Sequence, residues 1–176
     1  KDLNVMNSEL SIKIFKEMGE LGFAGIDIPE KFGGLELDKT TACIVADILS
    51  RGESASMMVT FSAHTGIGTL PIIWYGSEEQ KAKYLPKLAS GEWMGCYALT
   101  EPSAGSDAMG GKTTAKLSDD GKHYILNGQK IYITNGSWAD VCITFANVDG
   151  KYTAFIVDKD CEGYVVGEEE KKMGIK

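Results

Sequence analysis

The chain has 176 residues, of which 43% are hydrophobic and 9% aromatic, so it can bury a sizeable core and is neither disordered nor a low-complexity linker. Its 21 glycines follow no three-residue period, which excludes a collagen-like chain. Eighteen basic residues against 25 acidic ones give a net charge of −7, which argues against nucleic acid or an anionic membrane as the primary partner.

The first half of the chain carries helical signals. Leu10, Ile14, Met18 and Leu21 fall on one stripe of a helix over 8–21, because side chains three or four residues apart share a helix face. Asn7 or Ser8 is its expected cap, and Gly22 its stop. Further helices are predicted over 38–51, over 56–74 as one or two buried helices, and over 77–88.

The helix over 77–88 has the clearest local signal. Ser77-Glu-Glu-Gln80 is a capping box, in which Ser77 and Gln80 each satisfy an unpaired main-chain N–H group. Lys81, Lys83 and Lys87 then line up as a charged face in solvent, which is a simpler interpretation than a binding site.

After Gly91 the hydrophobic period changes from helix to strand. The dipeptide Asn127-Gly128 predicts a hairpin between two of the strands, since it is typical of two-residue turns. Helices followed by strands predict an α+β chain. It would have an all-helical amino-terminal domain over 1–90 and an antiparallel β-barrel or sandwich-like domain over 91–176. The expected strands lie at 93–99, 112–117, 123–126, 131–134, 141–146 and 153–157, with turns at 118–121 and 149–150.

The four cysteines, at positions 43, 96, 142 and 161, match no zinc-binding or paired CxxC spacing. We expect free thiols in a reducing compartment, with Cys96 and Cys142 as small buried side chains. His64 and His123 have no partner that would make a metal site. The longest apolar runs are far too short to span a membrane and no signal peptide is visible, which predicts a soluble protein.

Two groups of polar residues could form a site. The segment 97–107 carries hydroxyls at Thr100, Ser103 and Ser106, and Pro102 and Gly105 keep its main chain out of a regular ladder. Such a loop can hold a planar polar ring or a phosphate. A solvent loop with serine turns is the other interpretation, and the residues alone favour it.

The second group is the segment 131–136. If it is a strand, the two-residue period places Tyr132 and Thr134 on one face. An aromatic ring and a hydroxyl at that spacing could stack on a conjugated ring and bond to its edge. An ordinary half-buried strand with a polar face explains the same pattern.

Eight stretches of the chain together form a wider pattern. They are Gly22-Phe-Ala-Gly-Ile-Asp-Ile-Pro-Glu-Lys-Phe-Gly-Gly34, Tyr75-Gly-Ser-Glu-Glu-Gln-Lys81, Tyr84-Leu-Pro-Lys-Leu-Ala-Ser-Gly91, Cys96-Tyr-Ala-Leu-Thr-Glu-Pro-Ser-Ala-Gly-Ser-Asp107, Lys112-Thr-Thr-Ala115, Leu126-Asn-Gly-Gln-Lys130, Ile131-Tyr-Ile-Thr-Asn-Gly136 and Lys172-Met-Gly-Ile175. The pattern closely resembles the acyl-CoA dehydrogenase flavoproteins. It covers essentially the whole chain, and several blocks in family order are stronger evidence than one motif.

The resemblance implies an FAD site. The Thr100 hydroxyl and nearby main chain would meet the flavin ring, and Ser106 would also lie against the acyl-CoA. Tyr132 would stack beside the ring, where family members usually have Trp, and the Thr134 hydroxyl would reach the ring nitrogen that accepts hydride. The implied cofactor contacts are Tyr97, Ala98, Leu99, Thr100, Gly105, Ser106, Tyr132, Ile133 and Thr134.

The implied reaction is α,β-dehydrogenation of saturated acyl-CoA thioesters, as in fatty acid β-oxidation. In the family the general base is a glutamate of the carboxy-terminal helical domain, which we expect beyond Lys176. No residue of this chain is therefore assigned as catalytic, and no metal is expected. The chain is expected to be the amino-terminal helical domain and most of the middle β domain, inactive by itself.

Two alternatives stay open: an acyl-CoA oxidase or related flavoprotein on the same fold, and a non-catalytic acyl-CoA-binding module. The partners implied by the resemblance are acyl-CoA, an electron-transfer flavoprotein and other copies of the subunit in a homotetramer. The implied location is the cytoplasm of a bacterium or the mitochondrial matrix of a eukaryote.

Overall fold

The computed structural model describes residues 7–52 and 54–175, where a helical half is followed by one sheet. A π-helical segment, Ala63–Gly68, lies between the third and fourth helices. Within these residues the α-helices are α1 (Ser8–Glu20), α2 (Lys39–Ser50), α3 (Ala55–Ser62), α4 (Leu70–Tyr75) and α5 (Glu78–Ala89). The strands are β1 (Gly95–Ala98), β2 (Thr114–Leu117), β3 (Tyr124–Asn127), β4 (Val141–Val148) and β5 (Lys151–Asp158).

The helices α1 and α5 begin at predicted caps, and α2 begins beside its predicted start at Asp38. The Asn7 side chain accepts a hydrogen bond from the Leu10 N–H group, and Asp38 accepts one from Thr41. Both bonds of the predicted capping box at Ser77 and Gln80 are present. Each cap satisfies a main-chain N–H group that has no partner within its helix.

The predicted stripe of α1 is wrong at its end. The helix stops at Glu20, and Leu21 is 69% exposed. The buried face is instead made by Phe15, Met18 and Gly19. A β-carbon on Gly19 would come within 2.2 Å of the Ser90 carbonyl oxygen, so this glycine lets α1 approach the end of α5 and turns that side of the helix inward.

The sheet is mixed, which corrects the prediction of an antiparallel domain. β4 pairs in parallel with β1. It also pairs in parallel with β2, through a single bridge between Asn147 and Thr114. The β2–β3 and β4–β5 pairs are antiparallel. A tight turn forces antiparallel pairing, whereas the long connection over 99–140 lets the chain return beside β1 in the same direction.

The predicted hairpin at Asn127-Gly128 is also wrong. β3 pairs with β2 across the turn at 118–121, and the segment 131–134 is not a strand. Tyr132 and Asn135 have left-handed φ angles of 56° and 65°, which breaks the alternation that a strand needs. Gly128 serves a close approach, since a β-carbon there would lie 2.3 Å from the Thr113 hydroxyl oxygen.

The two halves share a core. Leu85 and Leu88 of α5 pack with Val141 and Ile143 of β4, and all four side chains are at most 2% exposed. All four cysteines are free, with Cys96 and Cys142 buried as predicted. Within the described ranges, no helix is both long and apolar enough to cross a membrane, and no cluster of three or more metal-ligating side chains occurs.

Candidate functional site

The first candidate segment leaves the sheet at the carboxyl end of β1. A tight turn follows, in which the Glu101 N–H group donates to the Ala104 carbonyl oxygen at 2.9 Å and Ala104 donates back at 3.1 Å. Gly105 and Ser106 come after it and are exposed. A β-carbon on Gly105 would meet nothing within 4 Å, so the main chain there borders open space.

The second candidate segment lies against the first. The Ile131 N–H group donates to the Thr100 carbonyl oxygen at 3.0 Å. The two segments were predicted separately from the sequence, and the fold brings them together beyond the carboxyl end of β1. We call this region, residues 97–106 with 131–136, the loop edge.

A buried ion pair joins the first segment to Lys130, the residue immediately before the second segment. The Lys130 ammonium lies 2.7 Å from the Glu101 carboxylate and 3.2 Å from the Leu99 carbonyl oxygen. The side chains are only 10% and 3% exposed. Sequence reasoning missed this pair because no spacing rule connects residues 29 positions apart in irregular segments. The available signal was that each residue belongs to a stretch of the family pattern.

Main-chain donors complete the surroundings of Glu101. The carboxylate accepts hydrogen bonds from the N–H groups of Lys112, at 2.5 Å, and Thr113, at 3.1 and 3.2 Å. Burial alone would raise the pKa of Glu101, but the hydrogen bonds from Lys130, Thr113 and Lys112 outweigh it and lower the pKa to about 2. Glu101 is therefore a fixed anion.

Asn135 anchors the second segment to α3 and β1. Its amide nitrogen donates to the Thr60 carbonyl oxygen in α3 at 2.9 Å and to the Gly95 carbonyl oxygen in β1 at 3.3 Å. The side chain is 8% exposed, and its left-handed φ is one that asparagine tolerates better than most residues. This residue too was quoted in a motif without a predicted role.

His64 fixes the start of β1. Its Nε2 donates to the Leu88 carbonyl oxygen over 3.1 Å, and its Nδ1 accepts the Gly95 N–H group at 3.0 Å. The ring is completely buried, which lowers its pKa to about 4. The π-helical segment that carries His64 is thus tied to both α5 and the strand that leads into the loop edge.

The predicted contact residues take different positions within the loop edge. Tyr97, Leu99, Thr100, Ile133 and Thr134 are half-buried, and Ala98 is buried. Tyr132 is 70% exposed. The prediction that Tyr132 and Thr134 share a strand face is wrong, because the backbone turns at Tyr132.

Thr134 borders an open apolar groove of about 290 Å³. Its other walls come from α3 and the π-helical segment. They are Met58, Val59, Ser62, Ala63 and Ile67.

The donor set of the loop edge suits a planar, polar ring. Within the part of the chain that the structure describes, neither the Thr100 nor the Thr134 hydroxyl has a hydrogen-bond partner. Both hydroxyls therefore remain able to bond to a ligand, beside the open space at Gly105. Lys130, a buried cation at this place, is already paired with Glu101, so a ligand here would be held by hydrogen bonds and shape rather than by the charge of that lysine.

Two family models match the chain. The model for the acyl-CoA dehydrogenase N-terminal domain matches residues 3–92, and the model for the acyl-CoA dehydrogenase middle domain matches residues 96–176.

Similar proteins and solved structures agree with those matches. A probable acyl-CoA dehydrogenase of Bacillus subtilis strain 168 is 53% identical over 99% of this chain and 29% of its own length. The crystal structure of an acyl-CoA dehydrogenase with FAD from Bacillus anthracis gives a TM-score of 0.90 at 53% identity, over 94% of this chain and 28% of that one. The prolyl acyl carrier protein oxidase AnaB gives 0.88 at 35% identity, over 99% of this chain and 50% of that one. The chain thus spans between about a quarter and a half of the proteins it matches.

Proposed function

Since this chain belongs to the acyl-CoA dehydrogenase family, we propose that it forms the amino-terminal part of an FAD-dependent acyl-CoA dehydrogenase subunit. The observation that carries the proposal is the loop edge, where Ile131 bonds to Thr100 and joins two motifs of the family pattern. We further propose residues 1–90 as the helical domain and 91–176 as the flavin-contacting domain.

The loop edge would hold the flavin ring. We assign the contacts to main chain of Tyr97–Thr100, to the Thr100 and Thr134 hydroxyls, and to the main chain at Gly105, Ser106 and Ile133. Tyr132 would cover part of the ring with its exposed aromatic face. FAD, when bound, would take the hydrogen that leaves the β carbon together with its electron pair.

The groove beside Thr134 supports an acyl chain as substrate. Its walls are mostly aliphatic and thioether side chains, and apolar walls with a few polar groups are typical of sites for small apolar ligands. In this proposal the acyl chain lies along α3 and the π-helical segment, with Thr134 at its reactive end. Ser106, exposed at the other side of the loop edge, would contact the CoA part.

No residue of the described chain is proposed as the general base. Glu101 is an acid of the loop edge itself, but a carboxylate with a pKa of about 2 is too weak a base to remove an α proton. It is also occupied by Lys130 and two main-chain N–H groups. We therefore propose that the base lies elsewhere in the subunit and that these 176 residues alone have little activity.

An oxidase is the second candidate, because AnaB has the same fold and is an oxidase. The two differ in what reoxidises the flavin, which is an electron-transfer flavoprotein in the first case and oxygen in the second. Assembly as a homotetramer, and a location in the cytoplasm or mitochondrial matrix, complete the proposal as properties that the family implies.

The test uses the full-length subunit, purified and assayed with saturated acyl-CoAs of several chain lengths and an artificial electron acceptor. We expect a bound flavin and turnover on the order of 10 per second, with the 176-residue chain far below that rate. Stoichiometric peroxide without the acceptor would favour the oxidase. A full-length protein that binds acyl-CoA but no flavin would instead establish the non-catalytic module and contradict the proposal.

A further inference from the structure

Lys130 makes contacts that an ordinary surface lysine does not. Its ammonium bonds to the Glu101 carboxylate and to the Leu99 carbonyl oxygen, with the side chain only 10% exposed. The following residue, Ile131, donates to Thr100. Two consecutive residues at the start of the second segment, Lys130 just before it and Ile131 as its first residue, therefore hold the main chain that directly follows β1.

Glu101 extends the connection to a third segment. Through the N–H groups of Lys112 and Thr113, its carboxylate fixes the chain just before β2. The main chain of Gly111 also lies close to the carboxylate, since a β-carbon there would come within 3.0 Å of a Glu101 carboxylate oxygen. The pair thus sets the relative positions of three chain segments.

Stability alone does not account for a pair of this kind. Replacing a buried ion pair with apolar groups is often neutral or stabilising, because removing two charges from water costs about as much as their attraction returns. What an apolar pair could not do is to hold the Leu99 carbonyl oxygen in one direction. That carbonyl lies within Tyr97–Thr100, the segment assigned to the flavin.

We propose that Lys130 and Glu101 are positioning residues for FAD, which hold the main chain of 97–100 and the start of 131–136 in the geometry that receives the flavin ring. The inference rests on the proposed function. Neither residue contacts the flavin in this proposal; both act through Leu99 and Thr100.

The test compares variants of the full-length subunit after removal of FAD. Lys130→Met removes the charge and the bond to Leu99, and Glu101→Gln with Lys130→Met removes both charges, so that no unpaired ion is left buried. Glu101→Gln alone keeps the bond from Lys130 to Leu99. Lys83→Met is the matched control, since Lys83 pairs with Asp158 at 2.8 Å but is 54% exposed and lies outside the loop edge.

The readouts are the Kd for FAD, from quenching of flavin fluorescence, and the Tm of each protein with and without FAD. For the double variant we expect a Kd weaker by about tenfold or more, the size of a lost charged hydrogen bond. Its Tm without FAD should remain close to that of the wild type, while the increase on adding FAD shrinks. Glu101→Gln should lose less affinity, and Lys83→Met none.

The opposite results are equally clear. A double variant whose Kd stays within about twofold of the wild type, or whose Tm falls equally with and without FAD, would show a merely structural pair. If Lys130→Met fails to fold, the double variant decides the question. A wild-type subunit that binds no FAD would overturn the proposed function itself, whereas equal binding by wild type and variants would overturn only the positioning role.

Discussion

At the scale of single residues, His64 shows how burial fixes a protonation state. Both ring nitrogens are used, one as donor to Leu88 and one as acceptor from Gly95. Protonation would turn the acceptor into a second donor facing the Gly95 N–H group, in a pocket closed by the edge-to-face ring of Phe15 at 4.8 Å. The fold therefore requires the neutral ring.

This requirement predicts a pH dependence of stability. The folded state binds a proton with a pKa of about 4, below the ordinary value of 6.5, so the unfolded state takes up the proton first as pH falls. The contribution of His64 is complete above about pH 7 and declines through pH 6.5 towards 4, by up to about 3 kcal/mol. Urea unfolding at pH 7.5 and 5 should show a smaller loss for His64→Gln than for the wild type, with exposed His123→Gln as control. Equal losses in all three proteins would contradict the prediction.

At the scale of elements, the segment 131–136 owes its shape to Asn135. The side chain holds carbonyl groups of α3 and β1 together, and the backbone is left-handed there. A residue with a β-carbon but no amide loses both bonds and is strained, whereas glycine loses only the bonds.

We therefore expect Asn135→Ala to lower the free energy of unfolding by about 2–3 kcal/mol, and Asn135→Gly by about 1 kcal/mol less. Chemical denaturation of the two variants measures both numbers. Equal losses would mean that backbone strain contributes nothing, and an unchanged stability in Asn135→Ala would mean that the two hydrogen bonds do not hold the segment.

The elements also show what a sequence can predict here. The helix starts at Asn7 and Ser77 were predicted correctly because a cap is a contact between residues three apart, and the start near Asp38 was correct as well. The segment 131–134 was wrongly predicted as a strand because its alternating pattern is overruled by the left-handed turns and by the distant contacts of Asn135. The parallel pairing of β1 with β4 has no local signal either, since it depends on where a long connection returns.

For the candidate site, too, local features were predictable from the sequence and distant contacts were not. The sequence located both polar segments, because hydroxyls, proline and glycine cluster locally in each. It could not show that they meet, since their contact runs through the Ile131–Thr100 bond and the Lys130–Glu101 pair. Residues that position a site through other residues carry no spacing signature of their own.

At the scale of the whole molecule, the helical half meets the sheet at a contact between two glycines. A β-carbon on Gly68, at the end of the π-helical segment, would come within 2.8 Å of the Gly95 carbonyl carbon in β1. Both groups belong to main chain, so neither can rotate away as a side chain could. This approach brings the groove on the helical half next to the strand that leads into the loop edge.

Gly68→Ala should therefore separate the halves and lower the free energy of unfolding by about 1–3 kcal/mol, the usual cost of overpacking. Gly66→Ala is the matched control in the same segment, because a β-carbon there would meet nothing within 4 Å. Alanine at that site should be neutral or stabilise the protein by up to about 1 kcal/mol, since it restricts the unfolded chain. Guanidinium unfolding of both variants measures the difference.

In the full-length subunit, Gly68→Ala should also weaken FAD binding, because β1 would shift with the loop edge attached to it. Equal stability of the two variants would show that the glycine contact is not what sets the spacing of the halves.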